Sequence, residues 1–139
     1  MGIVDQCERE IVRLHEVFAD WLRGDVPDTD ASFEAFQGTL SRDFVMVVPQ
    51  GRLLRYPELV RAVRDVYGNR ADTEDYRIWI EDVEVQVDHE DALVATYEEW
   101  EVAGGEQQGR LSSAILTFDD AMPEGLKWRH LHETWLPLP

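Results

Sequence analysis

The sequence predicts an α+β fold: three N-terminal helices packed on a strongly curved, mostly antiparallel sheet that forms a cone with an interior pocket. Three observations predict it. Apolar residues recur with a helical period in three segments before residue 68. After residue 75 the period changes to two, over four long segments. The links between those four are short and turn-rich, which makes neighbouring strands antiparallel. Helices first and a meander afterwards is the order of an α+β domain with its helices on one face of the sheet.

Residues 5–23 read as the first helix, with Cys7, Ile11, Leu14, Phe18 and Trp21 on one face. Gly24 stops it and Pro27 lies just beyond. Asp28 or Asp30 can cap a shorter helix with Phe33, Phe36 and Leu40 as its stripe. "DFVMVV" (43–48) is a strand, "PQG" a turn, and "RLL" (52–54) a short strand. The third helix starts near Pro57, carries Leu59, Val60, Val63 and Tyr67, and stops at Gly68. The four long strands are 76–87, 92–102, 109–118 and 126–136. In the first of them Ile78 and Ile80 are even-numbered while Val83, Val85 and Val87 are odd. One extra residue at Glu81-Asp82, a β-bulge, restores a continuous apolar face and bends the sheet. Residues 1–139 form one domain, with no repeat or low-complexity segment.

Composition narrows the function classes. A net charge of −16 repels phosphate backbones and anionic membrane surfaces, so neither nucleic acid nor membrane is an expected partner. No apolar run approaches the ~20 residues of a membrane span. The start "MGIVDQCERE" lacks the basic and apolar regions of a signal peptide, and Cys7 is the one cysteine. A reducing cytoplasm is the expectation. No phosphate-binding glycine loop, nucleophile elbow or C-x-x-C is present, so no cofactor is expected.

"FADWLRGD", "DFVMVVPQGRLL", "VATYEEW", "GRLSSAIL" and the terminal "KWRHLHETW" together resemble the NTF2-like (cystatin-like α+β cone) superfamily. Within it the chain is similar to the SnoaL-like and DUF4440-type small proteins. Its last strand is similar to the W-x-x-x-H-x-H strand of the calcium/calmodulin-dependent protein kinase association domain. The resemblance covers essentially the whole chain. It implies ligands held inside the cone and a homodimer formed through the sheet. It also implies that the first helix lines the cone mouth, bringing His15 toward a ligand, and that Tyr67 matches a pocket aromatic. The position after the H-x-H pair is basic and inward in the kinase hub; here it is Glu133.

Candidate site residues follow from the strand faces. Thr96, Glu98 and Trp100 share one face; Tyr97, Glu99 and Glu101 share the other. The first set is taken as the ligand face, with Glu98 and Glu133 as catalytic carboxylates and His15 as a third titratable group. Burial raises a carboxyl pKa toward the range where proton transfer works near neutral pH. Arg110 and Ser112 share a face, and Leu131, Glu133 and Trp135 share another. Arg110 either orients a ligand or neutralises a glutamate, and ion pairing with Arg110 or Arg129 is the structural alternative for both acids. His130 and His132 admit metal binding, acid/base use or plain packing between strands; no metal site is assigned, because a third ligand is missing from the pattern.

The expected function is binding of a small apolar or weakly polar molecule, neutral or weakly cationic, with cofactor-independent isomerase, dehydratase or hydrolase chemistry as its enzymatic form. The alternatives are a non-catalytic dimeric assembly module and a metal-dependent enzyme through His130 and His132. An open cavity of about 300 Å³ or more favours the first. A cone plugged by tryptophans favours the module.

Overall fold

A computed structural model describes residues 2–137. The elements run α1 (Ile3–Arg23), α2 (Asp30–Gln37), β1 (Leu40–Val47), β2 (Leu53–Arg55), α3 (Tyr56–Asp65), β3 (Arg77–Asp88), β4 (Ala92–Ala103), β5 (Glu106–Phe118) and β6 (Leu126–Trp135). They build the predicted α+β cone. The six strands are ordered β2-β1-β6-β5-β4-β3. β3 through β6 are the antiparallel meander that the short links imply. β1 joins as a parallel neighbour of β6, and β2 pairs antiparallel with β1. α1 packs against β3 with α2 alongside it, and α3 packs against β1 and β2.

The α1 stripe buries Cys7, Ile11, Leu14 and Trp21 as the spacing requires, and it also buries Glu10 and His15. Gly24 closes the helix in the left-handed region, at φ 71°, where a side chain would add strain. The cap of α2 differs from expectation. Thr29, not Asp28 or Asp30, accepts the Ser32 amide at 3.2 Å. The two aspartates face Arg64, at 2.6 and 3.5 Å, and that guanidinium also lies over the Trp21 and Phe33 rings.

Two bulges shape the interior. In β3, Glu81 pairs with Glu98 and Glu84 with Thr96, so one extra residue enters β3. The extra residue falls at Asp82, with φ 54°, and lets Ile78, Ile80, Val83 and Val85 all pack against the core; a further register shift between Val85 and Val87 leaves Val87, expected on the same face, 52% exposed. Aspartate tolerates that conformation better than most residues. In β6, His130 pairs with Ile115 and Trp128 with Leu116, so Arg129 is the extra residue. Its guanidinium bonds Ser41 Oγ at 3.0 Å, where the β1 register is also irregular. This second bulge turns Trp128, Leu131 and Glu133 inward together, and leaves His130 half-buried and His132 exposed on the outer side.

Candidate functional site

The inner face of β4 is Leu93, Ala95, Tyr97 and Glu99, all buried. Opposite them on β5 stand Arg110, Ser112, Ala114 and Leu116. Glu99 pairs with Arg110 and Tyr97 with Ser112, while Ser112 pairs across with Glu133 on β6. One end of the cone interior therefore collects two carboxylates, a guanidinium and two hydroxyls. α1 adds His15 from above. Between helices and sheet lies a partly open cavity of about 130 Å³. Its walls are Leu14, Phe18, Phe36, Leu40, Phe44, Met46, Leu59, Val63, Trp128 and Leu131, and its polar end is His15, Glu99, Arg110 and Glu133.

The polar end is tightly bonded. His15 Nδ1 lies 2.7 Å from the Ile11 carbonyl oxygen, and Nε2 lies 2.9 Å from Glu99 Oε1. A carbonyl and a carboxylate both accept, so both ring nitrogens donate and the ring is an imidazolium. Burial opposes that charge, but the Glu99 carboxylate and the two hydrogen bonds outweigh it, and the His15 pKa rises. Burial alone would raise Glu99 as well. The facing His15 charge and hydrogen bond, with Arg110, bring it instead to about 2. Glu133 goes the other way, to about 7, because it is desolvated and faces the Glu99 charge, which Arg110 only partly offsets. Arg110 Nη1 donates to Glu133 Oε1 at 2.7 Å. Among the described residues its Nε and Nη2 make no hydrogen bond; the guanidinium rests over the Trp135 ring, 5.0 Å from the centroid. Tyr97 packs edge-on against His15, and burial lifts its hydroxyl well above the usual value.

The sequence-derived candidates divide. His15, Arg110, Leu131 and Glu133 line the cavity. Ser112 is fully buried beside them but outside the cavity wall. Trp135 lies under the Arg110 guanidinium, 40% exposed and outside the cavity wall. Glu98, Thr96 and Trp100 point away from the cavity. Glu98 accepts from Trp100 Nε1 at 3.0 Å, Thr96 accepts from Gln86 at 3.0 Å, and Trp100 stacks on Trp79. The choice of β4 face is thus corrected: the inward carboxylate is Glu99. The phase is set by Leu93 and Ala95, whose burial is incompatible with burying Val94 and Thr96 on the same strand. Tyr67 is corrected too. Its hydroxyl donates to the Val26 carbonyl at 2.5 Å and its ring packs edge-on against Trp21, away from the cavity. His130 and His132 lie on the outer face, and no cluster of three or more metal-capable side chains occurs among the described residues.

A second buried network was not singled out from the sequence. Glu10 is fully buried; it accepts from Arg13 through both oxygens, at 2.8 and 2.9 Å, and from Trp128 Nε1 at 2.7 Å. The signal was there: Glu10 sits between Cys7 and Leu14 on the α1 stripe. It fixes Trp128, whose ring forms one cavity wall. The cavity is smaller than the sequence-based threshold for a ligand site. It is also not plugged by tryptophans, because only Trp128 of the five lines it.

The model of the sucrose-6-phosphate phosphohydrolase C-terminal family matches residues 7–137. The chain belongs to this family. The match adds a grouping that the resemblance did not name. Among curated relatives, sucrose-phosphatase 1 of Nicotiana tabacum is 24% identical over 128 residues, covering 91% of this chain and 30% of the relative. Sucrose-phosphatase 2 of the same plant is 26% identical over 129 residues, with the same two coverages. The chain therefore spans about 30% of the length of these relatives. Solved structures carry the NTF2-like identification. An NTF2-like protein of unknown function from Pseudomonas aeruginosa is 30% identical with a TM-score of 0.83, covering 95% of this chain and 99% of that one. The CaMKII hub of S. rosetta superposes with a TM-score of 0.67 at 17% identity, over 98% of each chain. This member of the sucrose-6-phosphate phosphohydrolase C-terminal family thus has the NTF2-like fold, and its own site must carry any statement of activity.

Proposed function

We propose that this domain binds a small molecule inside the cone and that Glu133 is its proton-exchanging group. One observation carries the reading: a partly open, apolar-walled cavity ends on four ionisable side chains, two of them buried carboxylates. Apolar walls with a few convergent polar groups are the usual make-up of a small-molecule site. A carboxyl poised near 7 is matched to giving or taking a proton at neutral pH. Acting on a bound ligand, these groups support proton transfer, as in isomerisation or dehydration. His15 and Glu99 hold each other charged, and Arg110 orients Glu133. The substrate in the relatives' names is not carried over, because the chain spans about 30% of their length and the cavity walls are mostly apolar.

The test is a methyl-region NMR titration with single-ring and short-chain fragments spanning anions, neutral molecules and cations. Bound fragments are expected to shift Leu14, Leu59, Val63 and Leu131 methyls, and the shifts should vanish in Leu131→Trp, which fills the cavity. Silence from every fragment in the wild type would sink the ligand reading.

A second reading, dimerisation through the outer sheet face, is favoured by another observation. Leu111 and Ile115 stand on that face of β5, 44% and 36% exposed. The superposition with a kinase hub supports assembly of some kind. The two readings are compatible, since the cavity opens on the opposite side of the sheet.

A further inference from the structure

This inference rests on the cavity's being a ligand site and names the class of ligand. The polar end is not the acidic surface that the composition suggests. His15 and Arg110 bring two positive charges, and Glu99 brings one negative. The rest of the decision lies with Glu133. With Glu133 ionised the four groups are neutral together. With Glu133 protonated they carry one uncompensated positive charge. Neither state is negative, so the cluster has nothing to offer a cation.

The guanidinium adds a directional argument. Arg110 uses Nη1 on Glu133, while Nε and Nη2 make no hydrogen bond among the described residues. Those unused donors sit on a side chain that lines the cavity and is held over the Trp135 ring. A planar fork with free donors matches a carboxylate or a phosphate, and the small, mostly apolar space favours the smaller and less charged of the two. Size sets the other end of the ligand. Engineered apolar cavities of about 150 Å³ hold a benzene ring, and this one measures about 130 Å³ with ten apolar wall residues. The groups facing it from α2, α3 and β1 are Phe36, Leu59, Val63, Leu40, Phe44 and Met46, none of them titratable.

We propose that the cavity takes a small monocarboxylate, a compact apolar body of single-ring or branched-chain size, whose head group pairs with the free donors of Arg110 beside Glu133. The incoming negative charge favours the protonated form of Glu133, so binding takes up a proton wherever Glu133 is ionised beforehand. The charged and titratable groups around Glu133 are Glu99 and Tyr97 from β4, Arg110 from β5 and His15 from α1. Of these, Glu133 is brought to about 7 and Glu99 lies far below it, while His15 is held above its ordinary 6.5 by Glu99. The overall charge of −16 does not oppose binding inside the cone, because exposed charges are screened over about 8 Å at physiological salt. On this proposal the ligand is an anion, where the candidate acids in the sequence led to a neutral or weakly cationic one.

The experiment is isothermal titration calorimetry of the full chain with sodium benzoate, benzyl alcohol and benzylamine. It is run at pH 6 and pH 8, in pairs of buffers that differ in ionisation enthalpy. Benzoate should bind at least tenfold more tightly than the other two at pH 6. At pH 8 it should bind about tenfold more weakly than at pH 6, with uptake of about one proton, because the protonated fraction falls about tenfold between these values. Glu133→Gln keeps a hydrogen-bond donor that cannot titrate, so benzoate affinity in that variant should change less between the two pH values than in the wild type. Arg110→Gln should lose benzoate, and circular dichroism checks that the variant is folded. Equal binding of benzyl alcohol or benzylamine overturns the anion class while leaving the ligand site intact. A pH-independent affinity in the wild type overturns the part given to Glu133. If none of the three probes binds, the monocarboxylate assignment fails, and the wider fragment titration shows separately whether the cavity binds anything.

Discussion

Glu99 and Glu133 are the same residue type, buried at one end of one cavity, and their neighbours drive them apart. Glu99 is lowered, so it stabilises the fold above its ordinary value of 4.5 and loses that contribution as pH falls toward 2. Glu133 is raised to about 7, so the native state holds a proton that the unfolded chain has released. Stability therefore falls as pH rises from 4.5 to about 7 on account of Glu133. His15 is raised above 6.5, so its contribution is complete below that value and fades as pH climbs through its folded pKa. Glu99→Gln should cost about 3–5 kcal/mol near pH 6, because it strands a buried imidazolium. Urea unfolding across pH should show that gap closing below pH 4.5, and a gap independent of pH would refute the pairing with His15. The resemblance to the kinase hub suggested Glu133 as an inward acid, through its departure from a basic position. The sequence did not separate Glu98 from Glu99, since each shares its strand face with an aromatic residue.

At the level of elements, strand phase decided which residues meet. The β3 bulge was legible because the apolar parity of Ile78, Ile80, Val83 and Val85 breaks at one place. The β6 bulge at Arg129 was not, since Trp128, His130 and His132 alternate without interruption in the sequence. Only pairing with β5 and β1 shows that Trp128 belongs with Leu131 and Glu133. The outer face has its own constraint. A Cβ on Gly109 would lie 2.6 Å from the Trp100 ring, so that ring lies flat on the glycine. Gly109→Ala should force Trp100 off Trp79 and cost about 1–3 kcal/mol. The urea midpoint and the tryptophan fluorescence should both shift; an unchanged midpoint would show that the ring moves freely.

For the whole molecule, the sheet divides two roles between its faces. The inner face closes the cavity, and the outer face carries Trp79, Trp100, Leu111 and Ile115. A double substitution, Leu111→Glu with Ile115→Glu, should convert a dimer to a monomer in analytical ultracentrifugation without altering fragment binding in the cavity. A wild-type protein that sediments as a monomer at its highest soluble concentration would defeat the dimer proposal. Among the described residues no helix is long and apolar enough to cross a membrane.

The sequence by itself determined the α+β class, the order of helices and strands, the antiparallel meander and the bend in β3. Those depend on period, turn residues and link length, all local in the chain. Only the tertiary structure decided that Glu99 and not Glu98 is inward, and that His15 is charged against it. It likewise decided that His130 and His132 face out and that Arg110 keeps unused donors over Trp135. Each of these depends on which residues of distant strands lie side by side. A shift of one residue in register exchanges the two faces of a strand, and no local pattern in the chain records that choice.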